Sequence, residues 1–279
     1  MIHEYLNSLD SEVTKIDISN KGLTEIPDLS RFTKLEILMC NYNLLIFLPP
    51  LNDNLKELYC SHNRLTFLPD LNYNLTVLDC SHNRLTFLPL LNDNLELLWC
   101  YNNKLTSLPS LNYYLELLWC HTNKLTFLPS LNYNLKILDC DFNEITSLPP
   151  LNYNLEYLYC SDNQINSIPP LNPNFKMLSC SYNKLTSLPD NLRMLVCIHN
   201  PLNDIIGNIT NLKLKKWNHF RDFFFLSKLR KKFISWMWKS RETKIKQLCN
   251  PIHLQNILNE DCETFHNFLD SFGIYKSSI

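Results

Sequence analysis

Alanine is absent from the 279 residues and glycine occurs 3 times. So little glycine leaves no phosphate-binding loop and no Gly-x-Ser-x-Gly nucleophile elbow. No Cys-x-x-Cys pair occurs although there are 11 cysteines, and neither a metal motif nor a kinase signature is present. Uninterrupted apolar runs are too short to cross a bilayer. The opening segment, MIHEYLNSLDSEVTK, is acidic and has no apolar stretch, unlike a signal peptide. These absences predict a chain that is not an enzyme and uses no cofactor and no metal. What is abundant instead is Asn, Leu, Lys, Ile, Phe and Tyr, the bias of an AT-rich genome.

Cysteine falls at every twentieth position from Cys40 to Cys180, and its surroundings repeat at the same step. LKELYCSHNRLTFLPDLNYN from Leu55 is followed by LTVLDCSHNRLTFLPLLNDN from Leu75. A fixed period this short means a solenoid, in which each copy is one unit stacked on the next. The unit reads L-x-x-L-x-C-x-x-N-x-L-T-x-L-P-x-L-N-x-N. Full copies start at Leu35, Leu55, Leu75, Leu95, Leu115, Leu135, Leu155 and Phe175. A degenerate copy at Val13 precedes them, and a shortened junction leads to a last copy at Leu192, making ten.

Each copy is predicted to place a strand over its first six positions. Side chains alternate, so positions four and six point into the core while three and five face out. Leu and Cys then fill one continuous core. The Asn at position nine can satisfy backbone groups of its own turn and the next. The Leu-Pro pair suits an extended return segment rather than a helix. Cysteines in adjacent parallel strands point the same way, a poor geometry for disulfides or a tetrahedral metal site. They are expected to be reduced, buried and apolar in character, which suits a cytoplasmic location. The sequons at Asn74 and Asn208 are read as chance.

The unit resembles the leucine-rich repeat in its short Leu-Pro form. Together with the composition, it resembles leucine-rich repeat proteins of giant amoeba-infecting DNA viruses, and less closely those of intracellular bacterial pathogens. That resemblance implies a curved horseshoe, α/β by convention but mostly β and extended, with a parallel concave sheet and a C-terminal helical cap. A viral source would place it in the host cytoplasm. Some bacterial relatives carry a ubiquitin-ligase domain with a catalytic Cys-x-Asp motif. Here Cys249 is followed by Asn-Pro and Cys262 by Glu-Thr, and residues 213–279 are too few for that domain, so the activity is not carried over.

Charge divides the chain. Residues 1–212 hold 13 Lys and Arg against 21 Asp and Glu, a balance of −8; residues 213–279 hold 13 against 6, or +7. The expected organisation is a short N-terminal cap over 1–12, the solenoid over 13–211, and a basic, aromatic-rich helical segment over 212–279. The last is read first as a cap for the open end of the core. A membrane-surface helix over 213–246 is the other reading, which would make the chain an adaptor. Nucleic acid is not expected as a partner. Function is expected at the variable outward positions of the concave sheet: Tyr59, Asp79, Trp99, Tyr101, Trp119, His121, Asp139, Asp141 and Tyr159. Exposed Trp and Tyr are typical interface anchors, so this row predicts a protein partner bound by a monomer. His62 and His82 are expected to be solvated turn residues.

Overall fold

The computed structural model describes residues 2–189 and 195–201. A helix, α1 (Ile2–Ser8), is followed by ten short strands: β1 (Lys15–Asp17), β2 (Ile37–Met39), β3 (Glu57–Tyr59), β4 (Val77–Asp79), β5 (Leu97–Trp99), β6 (Leu117–Trp119), β7 (Ile137–Asp139), β8 (Tyr157–Tyr159), β9 (Met177–Ser179) and β10 (Leu195–Val196). They form one parallel sheet in chain order. The register advances by one repeat at each step, as in Leu58 opposite Leu78 opposite Leu98. At the shortened junction Leu178 faces Leu195, which keeps position four aligned.

Strand geometry covers positions three to five rather than the six expected. The hydrogen-bonded ladder runs further: Lys56 N donates to Glu36 O at 2.8 Å, Cys40 N to Tyr59 O at 2.8 Å, and Tyr42 N to Ser61 O at 3.0 Å. The strand ends early because position eight turns the chain. There φ is positive in every described copy, from Asn20 (57°) through Tyr42, His62, His82, Asn102, Thr122, Phe142, Asp162 and Tyr182 to His199 (56°). Glycine is the residue that accepts this left-handed conformation freely, yet here even Phe and Tyr adopt it.

The inward positions behave as predicted. Cys60, Cys80, Cys100, Cys120, Cys140 and Cys160 are fully buried, as are the Leu residues of positions one, four and eleven across the same repeats. The thiols are unpaired. Burial pushes their pKa well up, so little reactive thiolate exists at neutral pH.

Asparagine holds the turns. Asn63 Nδ2 donates to Cys60 O and Ser61 O of its own turn and to Cys40 O of the repeat before it, at 3.0, 3.2 and 3.0 Å. Its Oδ1 accepts from Leu45 N at 3.0 Å. The side chain therefore ties its own turn to the preceding repeat, not to the following one as expected. A second set at position eighteen does similar work: Asn72 Nδ2 donates to Asn52 O and Leu55 O, both at 2.8 Å. The amide of Asn74 is likewise engaged, donating to Asp53 O at 2.8 Å.

At the N-terminal end, Leu6 of α1 is buried in the core, and the Arg31 guanidinium donates to Leu6 O. The expected helical cap and membrane-surface segment over 212–279 lie outside the described residues.

Candidate binding face

Position five forms a single row across the sheet. Its register runs Met39, Tyr59, Asp79, Trp99, Trp119, Asp139, Tyr159, Ser179. Two indoles thus stand side by side with an Asp and then a Tyr on either flank. The Trp99 and Trp119 rings meet edge to face, with centroids 6.0 Å apart at 74°. Tyr101, from position seven, leans against Trp119 at 6.2 Å and stacks on His121 at 4.4 Å. The structure therefore gathers the expected aromatic residues into one continuous patch.

Ser81 Oγ donates to Asp79 Oδ1 at 2.7 Å, and Ser81 N to the same oxygen at 3.1 Å. Burial raises the pKa of Asp79, and the hydrogen bonds from Ser81 and Ser61 oppose that rise. Tyr59 OH donates to Glu57 Oε2 at 2.9 Å. Burial and the nearby Glu57 carboxylate hold the Tyr59 phenol protonated; burial and Asp79 do the same for Tyr101.

Exposure divides the nine expected residues. Tyr59, Asp79, Trp99, Tyr101, Trp119 and His121 keep part of their surface in water. Asp139, Asp141 and Tyr159 are 8, 2 and 1 % exposed, which corrects the expectation that they face a partner openly. Strands roughly 5 Å apart set large outward side chains against one another, so pointing off the sheet is not the same as reaching water. Asp141 Oδ1 accepts from Ser161 N at 2.6 Å, and Asp139 Oδ1 accepts from Asp141 N at 3.2 Å. Tyr159 OH lies 3.8 Å from Met177 Sδ.

His62 and His82 sit in the turn as expected, but they are only partly solvated. Their shared left-handed backbone lays the rings in a stack, Tyr42 on His62 at 4.2 Å and His62 on His82 at 3.9 Å. Asn102 Nδ2 closes the stack 2.6 Å from His82 Nδ1. Burial, with His62 and His121 adding to it, pushes the His82 pKa down to about 4. The signal in the sequence is Ser-His-Asn in two adjacent repeats, at His62 and His82. Among the described residues no group of three or more His, Cys, Asp or Glu could hold a metal ion, and no helix is long and apolar enough to cross a membrane.

Residues 53–89 and 153–191 match the family described as Leucine Rich repeats (2 copies). Among solved structures, the chain is similar to YopM from Yersinia enterocolitica WA-314, at 37% identity and a TM-score of 0.67, over 69% of this chain and 43% of that one. It is similar to YopM, a leucine-rich effector protein from Yersinia pestis, at 30% identity and a TM-score of 0.57, over 65% and 59%. The functional domain of InlJ from Listeria monocytogenes, which includes a cysteine ladder, matches at 33% identity and a TM-score of 0.60, over 74% and 47%. The chain thus spans about two-fifths to three-fifths of the length of these relatives. No curated protein sequence matches it. The ten aligned strands, the buried cysteine row and these matches agree: the chain is a leucine-rich repeat protein, similar to bacterial leucine-rich effector proteins.

Proposed function

We propose that this chain is a protein-binding module, without catalysis, that holds its partner on the sheet face. The observation that carries the reading is the Trp99–Trp119 pair. It sits on register-matched strands, keeps part of both indoles in water, and is flanked by the partly exposed Asp79 and Tyr101. An amphipathic aromatic pair beside a carboxylate is a typical interface anchor. Tyr59 and His121 extend the patch, while Asp139, Asp141 and Tyr159 lie buried beside it. The chain works as a monomer in a reducing compartment, the cytoplasm of its cell or of a host. Support for that place comes from the free, buried thiols of the ladder.

The test is affinity capture from cell extract with the wild type and with Trp99→Ala/Trp119→Ala, after thermal melts have shown both folded. Loss of a specific captured protein with the variant is the expected result. Equal capture by both chains overturns the reading.

A further inference from the structure

The return segment that follows the position-nine Asn carries a second pattern. Position ten holds Arg64, Arg84, Lys104 and Lys124 in four consecutive repeats, all exposed. Each backbone N–H donates to the position-eleven carbonyl of the repeat before: Arg64 to Leu45 O at 2.8 Å, Arg84 to Leu65 O at 2.9 Å, Lys104 to Leu85 O at 2.8 Å, Lys124 to Leu105 O at 2.9 Å. The four cations therefore form one line, spaced by the repeat at roughly 5 Å. None forms an ion pair with a described residue. Beside the sheet the habit is opposite: Lys56, Lys136 and Lys176 meet Glu36, Glu116 and Glu156 at 2.7, 2.9 and 2.5 Å. Like charges this close repel, so the free protein maintains an arrangement that an anionic partner would relieve.

Three residues further on, a second line runs alongside. Phe47, Phe67, Phe87 and Phe127 are 39, 46, 54 and 54 % exposed, and Leu90 nearby is 83 % exposed. The fold does not need these phenyls. Ser107, Ser147, Ser167 and Ser187 occupy the same position in other repeats, with Leu105, Ile145, Ile165 and Leu185 still fully buried before them. No carboxylate occurs at positions ten, twelve or thirteen between Glu25 and Glu144, although Asp70 holds the place of Leu90 in the repeat before it.

We propose that this stripe docks the protein on an anionic lipid surface. Cations beside exposed Phe and Leu are the composition of interfacial protein segments, in which the apolar side chains enter the headgroup boundary while the cations meet negative headgroups. The phenyls and Leu90 offer no hydrogen bond and gain only by leaving water. That favours a bilayer over nucleic acid or an acidic peptide.

The experiment is co-sedimentation of the full chain with phosphatidylcholine vesicles, with and without phosphatidylserine. The wild type is expected to bind only the vesicles that contain phosphatidylserine, and to lose binding as salt rises. Arg64→Gln/Arg84→Gln should weaken binding about 25-fold, at about fivefold per cation removed. Phe67→Ser/Phe87→Ser should weaken it about tenfold or more, with an unchanged melting temperature. Three outcomes overturn the proposal: a wild type that does not bind, binding that both variants leave intact, or tighter binding to a single-stranded oligonucleotide or acidic peptide with the same sensitivity to the variants.

Discussion

Trp119 and Phe127 belong to the same repeat, one on the sheet and one on the return segment. Both are large aromatics on outward positions, yet the indole is largely covered and the phenyl is half in water. The difference lies in the neighbours. On the sheet, position five faces position five of adjacent strands, and Trp99, Tyr101 and Asp139 crowd around Trp119. On the return side, Phe127 follows a repeat that carries Ser107 at its position and precedes one with Ser147. A repeat protein thus sets exposure not only by which way a position points but by what the same position holds one repeat away. The sheet face uses variation to build a local patch. The return segment builds a line only where neighbouring repeats repeat a residue, as in Phe47, Phe67 and Phe87.

The largest effect separates the core beneath the sheet from everything outside it. Cys120→Asp buries a charge with no counter-charge and is expected to cost more than about 5 kcal/mol, enough to prevent folding; Cys120→Ala should cost about 1–2 kcal/mol. Circular dichroism and denaturant melts read both. A folded Cys120→Asp protein would mean that position six is not sealed. Next, Asn103→Ala removes three donations, to Cys80 O, Cys100 O and Tyr101 O, and the acceptor for Leu85 N. Unsatisfied backbone groups in two repeats should cost about 3 kcal/mol, measured by urea unfolding.

Trp99→Ala and Trp119→Ala should each weaken partner binding by about 2 kcal/mol, and act together less than additively because the rings touch. Phe127→Ser should change stability by no more than about 0.5 kcal/mol. If the order reverses, so that the Trp changes unfold the chain while binding survives, the contrast between the faces is drawn wrongly.

The edge between the faces should respond to acid. Burial holds the folded pKa of His82 at about 4, below the ordinary histidine value of 6.5. The folded state therefore takes up this proton less readily than the unfolded chain, and stability falls as pH drops from 6.5 toward 4. Because the ring is partly solvated, the screened effect should be about 1 kcal/mol. Asp79 acts in the opposite sense: its raised pKa favours the protonated folded form as pH falls. Comparing the wild type with His82→Asn isolates the imidazole; urea midpoints of the variant should fall less across this window. Asn already occupies the same turn position at Asn102.

One substitution should give a gain. Phe142 holds φ at 52° while half exposed, and Phe142→Asn should stabilise by about 0.5–1 kcal/mol, since Asn enters this backbone region at lower cost.

Much of this architecture is legible because period, burial and register are coupled. A Cys every twentieth residue has to occupy one inward position, and Leu178 opposite Leu195 follows from the short junction. The Asn at position nine announces a turn because its amide suits no other repeated task there. Three things are hidden. The left-handed position eight carries a local signal only at Asn20, Asn102 and Asp162; the other copies hold Tyr, His, Thr or Phe, which do not mark it. The burial of Asp139, Asp141 and Tyr159 depends on neighbours distant in sequence. The cation and phenyl lines each run through only some of the repeats, so the repeat unit itself does not announce them.

The backward reach of asparagine gives the stack a direction in time. Leu65 N is satisfied only by Asn83, which follows it by 18 residues, and Leu85 N only by Asn103. A chain leaving the ribosome cannot close a turn when that turn emerges; closure waits until the next Asn is clear of the exit tunnel. Assembly would therefore advance with a constant lag of about one repeat, leaving a single raw edge at the growing end. A ribosome stalled once Asn103, but not Asn123, has cleared the exit tunnel should hold a nascent chain whose repeat from Leu75 resists protease while the repeat from Leu95 is still cut.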